Sequence, residues 1–234
     1  MLSALAFLTV VGGAHAPDER TLRWFPVLGA ALGGAMALVW WAATALWPPL
    51  LAAAVVVFAD LVFTGMLHFD GLADSADGFL PHLDRDRRLE VMSQPDVGAF
   101  ALTIVPNILA LRWGAIATGT VGPLGFVGIW ALSRTLIAAA PSFLPYARDR
   151  GLASPFITGS RRSLLGWAAP IVGVLAVAHG LNGVGAAVGA GLVCVALGAL
   201  ARRRLGGFTG DVLGAMVVLG ETVALLILVI GPAS

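Results

Sequence analysis

The chain has 234 residues, of which 59% are hydrophobic and only 12% are charged. A soluble domain carries about 25% charged residues, so this composition excludes an ordinary soluble protein. It predicts an all-α fold, a polytopic helical membrane protein whose main partner is the lipid bilayer. The formal net charge of +1 gives no reason to expect a nucleic-acid partner. The single cysteine, Cys194, excludes an intrachain disulfide.

The N-terminal residues 2–11 are apolar, and the Ala14-His15-Ala16 that follows resembles the small-residue cleavage site of a signal peptide. A signal peptide carries a basic region ahead of its apolar segment, and this stretch has none. We therefore expect a retained interfacial or re-entrant segment instead of a cleaved leader.

Seven longer apolar stretches follow, each close to the about 20 residues that cross about 30 Å of hydrocarbon. They cover residues 26–47, 50–67, 99–119, 122–141, 164–180, 183–200 and 212–231. The fifth and sixth stretches are marginal in length. The sequence thus predicts about seven transmembrane helices in a single integral-membrane domain, residues 1–234.

Arginines mark every second connection between these stretches. The connections that contain arginine are residues 12–25, 68–98, 142–163 and 201–211, and those without it are 48–49, 120–121 and 181–182. Because positively charged loops stay on the cytoplasmic side, this alternation places the N-terminus inside and the C-terminus outside. It also places the loop at about 68–98 in the cytoplasm.

That loop begins with an acidic segment, residues 68–78, which reads HFDGLADSADG. Asp70, Asp74 and Asp77 recur at i, i+4 and i+7, which on a helix places them within an arc of roughly 60°. Three carboxylates on one face repel each other unless a cation lies among them. Oxygen ligands suit Mg²⁺, especially where phosphate oxygens complete its shell. The alternative, a solvated helix face, leaves Gly71 and Gly78 unexplained.

A second polar segment, residues 206–211 with the sequence GGFTGD, precedes the last apolar stretch. It is either a plain helix N-cap formed by Thr209 or Asp211, or a glycine-rich turn. In the second case its backbone N–H groups approach phosphate and Asp211 adds a metal ligand. The sequence leaves both interpretations open.

Four ionisable residues fall inside the apolar stretches: Asp60, Arg112, Arg134 and Glu221. A charge in hydrocarbon costs on the order of a few kcal/mol, so such groups face a cavity or a partner. They either pair with one another, or Arg134 reaches a pyrophosphate at the membrane surface. In the cytoplasmic loop, Arg88 belongs either to an ordinary charged segment or to a phosphate-binding one.

These features together indicate a cytoplasm-facing, Asp-rich site of the Mg²⁺ type with arginines nearby. Such a site suits attack on a phosphate anhydride. The metal would neutralise charge on the pyrophosphate, and an aspartate would help to deprotonate the attacking hydroxyl.

Residues 68–78 closely resemble the signature H-[LF]-D-G-L-A-D-x-x-D-G of the cobalamin synthase family, the adenosylcobinamide-GDP ribazoletransferases. Residues 205–215, LGGFTGDVLGA, followed by Gly220-Glu221, match the late block of that family. Shorter matches occur at residues 24–30, 88–92, 96–98, 133–134 and 145–148. The family's early F-x-T-R-[LI]-P segment reads FLTVVG at residues 7–12, without its arginine or proline, so no substrate contact is predicted there.

The resemblance implies that adenosylcobinamide-GDP is attacked by the 5′-hydroxyl of α-ribazole, or by α-ribazole 5′-phosphate in a variant reaction. GMP leaves, and adenosylcobalamin (vitamin B12) or its 5′-phosphate forms, with Mg²⁺ as cofactor. The implied catalytic and metal-binding residues are Asp70, Asp74, Asp77 and Asp211. The implied substrate- and phosphate-binding residues are Arg88, Arg134, His68, Glu90, Gly207 and Thr209. A bacterial plasma (inner) membrane location is also implied, and a homo-oligomer stays open.

Two other functions were weighed against this one. A CDP-alcohol-type phosphotransferase carries the signature D-G-x₂-A-R-x₈-G-x₃-D-x₃-D, whereas here Ala73 is followed by Asp74 and the later D-x₃-D pair is missing. A transporter would explain charges within the spans, but it predicts an inverted repeat, and none is evident in the sequence.

Overall fold

The computed structural model of the protein describes residues 1–11, 13, 15, 20–148 and 162–231. These residues form nine α-helices and no β-strand, which confirms the all-α prediction. The helices are α1 (Leu2–Leu8), α2 (Phe25–Thr44), α3 (Pro49–Phe63), α4 (Leu67–Phe79), α5 (Arg85–Val91), α6 (Ala99–Ala117), α7 (Gly122–Ala139), α8 (Ala168–Leu205) and α9 (Gly210–Leu228). Short 3₁₀ segments extend three of them at Thr21–Trp24, Ala140–Ser142 and Arg162–Trp167.

Several of these helices are long and apolar enough to cross a membrane. Five segments meet this test, namely Thr21–Thr44, Ala99–Ala117, Gly122–Ser142, Arg162–Leu205 and Gly210–Leu228. The pair α3 and α4, which are bent by 87° relative to each other, is a sixth candidate. The protein is therefore a polytopic helical membrane protein.

Helix α8 reverses its direction at Gly180, where φ is 57° and ψ is −133°. A Cβ atom on Gly183 would overlap the carbonyl group of Leu175. In a straight helix those two residues lie about 12 Å apart along the axis, so the chain must fold back between them. The two arms correspond to the predicted stretches 164–180 and 183–200. Since the first arm, residues 168–179, is only about 18 Å long, the count of seven spans stays a prediction.

The N-terminal helix α1 packs against the bundle. Ala4 and Leu8 are fully buried, and the ring of Phe7 stacks on that of Phe25 with centroids 5.9 Å apart. The predicted interfacial or re-entrant position of α1 stays a prediction, and Ala14 and Ala16 of the cleavage-site motif lie outside the described residues.

The four ionisable residues of the spans form one buried network. Arg112 on α6 lies 2.9 Å from Asp60 on α3 and 3.1 Å from Glu221 on α9. Arg134 on α7 pairs with the other oxygen of Glu221, and Trp130 donates a 2.9 Å hydrogen bond to Asp60. Mutual ion pairing is therefore the correct alternative. The guanidinium of Arg134 is fully buried and paired with Glu221, and its contact with a phosphate stays a prediction.

Three connecting segments meet at one end of the bundle. Arg85 donates hydrogen bonds to the carbonyl of Leu205 at 2.8 Å and to that of Ala147 at 3.0 Å. Arg204 donates to the carbonyl of Phe79 at the end of α4. The α4–α5 region, the segment before residue 148 and the α8–α9 turn are thereby joined, and this end carries the acidic segment.

Candidate active site

Helix α4 is set apart from α3 by a sharp turn. Gly65 and Met66 adopt left-handed conformations, with φ of 58° and 60°, and α4 then runs at 87° to α3. A non-glycine residue such as Met66 accepts this conformation at a cost of about 1 kcal/mol. By itself α4 is no candidate span, since it has 13 residues, carries three carboxylates and turns away from α3; it therefore lies outside the segments that span on their own. The predicted helical spacing of Asp70, Asp74 and Asp77 is confirmed.

Two glycines allow α4 to cross α9 at van der Waals contact. A Cβ atom on Gly71 would lie 2.7 Å from the carbonyl oxygen of Asp211 and 3.2 Å from the Cα of Gly214. A Cβ atom on Gly214 would lie 3.1 Å from the carbonyl oxygen of His68. Because no side chain separates the two backbones here, Asp70 and Asp74 are brought beside the first turn of α9.

Asp211 begins α9 and forms an ion pair that the sequence did not predict. One of its oxygens lies 3.0 Å from Nη2 of Arg148, and Arg148 also donates a 3.1 Å hydrogen bond to the carbonyl of Met92. Arg148, Asp211, Asp70 and His68 line a common cavity of about 130 Å³. This cavity is the candidate active site.

Asp74, on the same helix as Asp70, has a strongly raised pKa. Partial burial, and then the negative charges of Asp211 and Asp70, raise the pKa of Asp74 to about 7, while Arg148 opposes the shift. Desolvation and like charges both disfavour the ionised carboxylate. In the part of the chain that the structure describes, three carboxylates therefore share this region with one neighbouring guanidinium. A bound cation would relieve this excess of negative charge.

Asp77 faces a different neighbour. Its two oxygens accept hydrogen bonds from the backbone N–H groups of Gly98 at 2.7 Å and Ala101 at 3.1 Å. The side chain is buried and satisfies the N-terminal N–H groups of α6, as a helix cap does. Asp77 thus fixes α4 to α6, and its role as a metal ligand stays a prediction.

Arg88 and Glu90 do not line the cavity. Arg88 is buried and donates hydrogen bonds to the carbonyls of Gly78 at 2.6 Å and Phe79 at 3.0 Å, at the end of α4. Glu90 is exposed and pairs with Arg87 at 2.7 Å. The guanidinium of Arg88 thus caps a helix C-terminus and is shielded from solvent, and its contact with a phosphate stays a prediction.

Thr209 and Gly207 also have structural partners. Thr209 is the N-cap of α9, and its hydroxyl oxygen accepts a 3.2 Å hydrogen bond from the N–H of Val212. The N-cap alternative for this segment is therefore correct. Gly207 lies so close to Pro145 that a Cβ atom would overlap the carbonyl of Pro145. Both residues are buried, and a direct phosphate contact from either of them has no support here.

Arg148 is the functional candidate that sequence reasoning did not select, although it ends the 145–148 block of the resemblance. The structure positions it through backbone pairing: Ala147 donates to the carbonyl of Phe208 at 2.9 Å, and Phe208 donates to that of Pro145 at 2.8 Å. This bridge holds the segment against the start of α9. His68, by contrast, was selected; it is buried, and its Nε2 has no hydrogen-bond partner among the described residues.

The cluster suits Mg²⁺ in its chemistry. Within the described residues, no three His, Cys, Asp or Glu side chains already converge as a metal site. Mg²⁺, however, is usually held by one or two carboxylates together with substrate phosphates and water. Asp70, Asp74 and Asp211 supply oxygen donors of that type. After burial, the negative charges of Asp211 and Asp70 contribute to the raised pKa of Asp74, and a bound cation would relieve that repulsion.

Comparison with known proteins places this chain in a family. Residues 1–229 match the family model described as cobalamin-5-phosphate synthase. The chain belongs to the cobalamin-5-phosphate synthase family. No solved structure matches it.

Curated relatives named adenosylcobinamide-GDP ribazoletransferase support this membership. One from Chlorobium phaeovibrioides is 37% identical over 230 residues, which cover 92% of this chain and 91% of the relative. One from Roseiflexus sp. is 33% identical and covers 95% of this chain and 86% of the relative. One from Chlorobaculum tepidum is 32% identical and covers 97% and 93%.

Proposed function

We propose that this member of the cobalamin-5-phosphate synthase family is an adenosylcobinamide-GDP ribazoletransferase. It joins adenosylcobinamide-GDP to α-ribazole, or to α-ribazole 5′-phosphate, and gives adenosylcobalamin, or its 5′-phosphate, and GMP. The observation that carries the proposal is the uncompensated acidic cluster of Asp70, Asp74 and Asp211 at the polar end of the bundle, formed by the two segments that match the family best.

The proposed reaction is attack of a ribose hydroxyl that is free in both α-ribazole and α-ribazole 5′-phosphate on the phosphorus next to the cobinamide. The new phosphodiester bond forms as the anhydride bond breaks and GMP leaves. We assign Asp70, Asp74 and Asp211 to holding Mg²⁺. When bound, the ion would neutralise charge on the diphosphate and on the leaving GMP. A carboxylate of the same cluster would accept the proton of the attacking hydroxyl.

The intramembrane charges do not favour the transporter alternative. Asp60, Arg112, Arg134 and Glu221 are buried and paired with one another. Two carboxylates and two guanidinium groups make the network neutral, so it gives no sign of an ion pathway.

We further propose that the protein resides in the bacterial plasma (inner) membrane with its N-terminus and active site in the cytoplasm. The arginine-containing connections support this orientation, and the segments around Arg85, Arg148 and Arg204 meet at the end that carries the cavity. Arg150 and Arg161 of the same prediction lie outside the described residues.

GMP release is the direct test. Membranes from cells expressing the protein are incubated with adenosylcobinamide-GDP, α-ribazole and Mg²⁺, and GMP and the corrinoid product are measured by chromatography. We expect product from the wild type and from Asp86→Asn, a matched control in which an exposed aspartate that pairs only with Arg85 is neutralised. Chelation of Mg²⁺ should stop the reaction.

No product from a folded wild-type protein would overturn the proposal. Turnover of a CDP-linked lipid, with none of the corrinoid substrate, would favour the CDP-alcohol-type phosphotransferase instead. The orientation is tested separately, with sealed inverted vesicles, in which an outward-facing active site should use added substrates without detergent.

A further inference from the structure

Arg148 differs from the other arginines near the candidate site in how loosely it is held. Arg88 is buried at a helix end, whereas the side chain of Arg148 is 23% exposed and that of its partner Asp211 is 21% exposed. Both contacts of Arg148 within the described residues use the same nitrogen, Nη2. The guanidinium therefore retains N–H donors without a partner among the described residues, and Arg148 lines the cavity.

A bound cation would compete with Arg148 for the carboxylate of Asp211. Nη2 of Arg148 lies 3.0 Å from the Oδ2 oxygen of Asp211, one of the oxygens that we assign to Mg²⁺. A partly exposed ion pair contributes little to stability, so a divalent ion that is also attracted by Asp70 and Asp74 has the larger electrostatic gain. The same guanidinium presents the planar fork that binds phosphate oxygens.

We infer that Arg148 is an exchangeable counter-ion: it neutralises Asp211 until a divalent cation binds there, and it then binds the diphosphate of the nucleotide-activated substrate. This inference rests on the proposed function and adds a substrate-binding residue to it. The geometry that supports it is the shared cavity, which Arg148, Asp70 and Asp211 line together.

If Arg148 exchanges Asp211 for the diphosphate, its removal should change metal binding and diphosphate binding in opposite directions. Removing the guanidinium removes a positive charge that competes with the metal, so binding of the metal alone should become tighter. Removing it also removes a phosphate ligand, so binding of a diphosphate should become weaker. A structural arginine would, when lost, weaken both or change neither.

The test uses the purified full-length protein in detergent, with Mn²⁺ as the metal probe and GDP as the diphosphate probe. Free Mn²⁺ is measured by electron paramagnetic resonance, and GDP binding is measured at saturating Mn²⁺ by calorimetry. For Arg148→Gln we expect the Kd for Mn²⁺ to fall roughly three- to tenfold. The Kd for GDP should rise about tenfold or more.

Two further variants keep the test sharp. Arg148→Lys retains the charge but lacks the fork, so Mn²⁺ affinity should stay near that of the wild type while GDP binding weakens. Arg87→Gln removes an arginine whose side chain is 48% exposed on α5 and pairs with Glu90. It should leave both affinities unchanged, and thermal unfolding of each variant shows whether it is folded.

Weaker Mn²⁺ binding in folded Arg148→Gln, or unchanged affinity for both probes, would overturn the exchange. If wild-type membranes nevertheless release GMP, the transferase proposal stands without it. Absence of GMP release from the wild type would instead overturn the proposed function itself.

Discussion

The protein contains two clusters of charged side chains, and they differ in balance. The core network joins Asp60 and Glu221 to Arg112 and Arg134, with every one of these side chains buried and the charges equal. Among the described residues, the acidic cluster holds Asp70, Asp74 and Asp211 against the guanidinium of Arg148, and it is partly open to solvent.

This difference in charge balance indicates a structural role for the core network and a chemical role for the acidic cluster. A buried network persists only when its charges are paired and hydrogen bonded, and the core network joins four helices, α3, α6, α7 and α9, in this way. A cluster with surplus negative charge is destabilising on its own and is stabilised by a cation. Acidic residues in a membrane bundle thus indicate a catalytic site where they outnumber their arginine partners, and the following predictions test that rule.

The largest expected effect is the loss of activity in Asp74→Asn. Replacing a carboxylate that holds the metal should lower the rate of GMP release by about 10³-fold or more. The free energy of unfolding should stay the same or rise, because the substitution removes repulsion from Asp70 and Asp211. The rate and the thermal unfolding temperature in detergent are measured beside the Asp86→Asn control. Full activity after neutralising Asp70, Asp74, Asp77 and Asp211 one at a time would refute the metal site.

Substitutions in the core network should have the opposite effect to Asp74→Asn and cause a large loss of stability. Arg112→Met leaves Asp60 and Glu221 with only one guanidinium, and an uncompensated buried charge costs about 3–5 kcal/mol. The double variant Arg134→Met with Glu221→Gln removes one positive and one negative charge and keeps the Asp60–Arg112 pair. Its loss should be smaller than the sum of its single variants.

Unfolding in mixed detergent micelles measures these differences in the free energy of unfolding. Additive losses in the double variant, or an Arg112→Met protein as stable as the wild type, would show that the core network is not the balanced unit described here.

A smaller effect is expected where the two glycines let α4 approach α9. In Gly71→Ala the new methyl group meets the backbone of Asp211 at 2.7 Å, so the helices must separate, at a cost of about 1–3 kcal/mol. A displacement of this kind in a catalytic cluster lowers rates by up to about 10²-fold. Gly114→Ala on α6 is the matched control, because a Cβ atom there meets nothing within 4 Å. Equal rates in the two variants would argue against the close contact.

The smallest effect is a pH dependence of the metal requirement. Because the pKa of Asp74 is raised to about 7, protons compete with the cation below that pH. The Mg²⁺ concentration for half-maximal GMP release should therefore rise as pH falls from 8 to 6, by up to about tenfold per unit below 7. Since the folded-state pKa is raised, the metal-free protein should become more stable over the same decrease in pH.

Because Asp74→Asn is expected to be inactive, it cannot serve as a control for the Mg²⁺ requirement. It is instead the control for the predicted change in stability with pH. The gain in thermal unfolding temperature between pH 8 and pH 6 in chelator should be smaller in Asp74→Asn than in the wild type. An identical gain in both proteins would assign the effect to another group.

Some elements of the fold could be predicted from the sequence and others could not. Hydropathy located the long helices, and the Asp spacing predicted the helical face of α4. The break between α3 and α4 was missed, because the apolar stretch 50–67 runs through Gly65 and Met66 without a change in composition. Ion pairing of Arg134 within the core network was one of two alternatives that the sequence left open. The carbonyl partners of Arg88 were missed, since a guanidinium in a sequence carries no mark of the backbone groups that it will contact.

The contact of Arg148 with Asp211 also could not be predicted from the sequence. Its block at residues 145–148 was noted as a match, yet only the backbone bridge between Ala147 and Phe208 brings it to Asp211. That contact joins segments far apart in the chain, and no local pattern encodes it.

The sequence by itself determined the membrane class, the family and the acidic helix face, because hydrophobic length and the spacing of side chains along one helix are properties of a single chain segment. Only the tertiary structure decided which charges are neutralised. The crossing of α4 over α9 and the packing of four helices around Arg112 fix the distances between opposite charges, and those distances leave Asp70, Asp74 and Asp211 in excess.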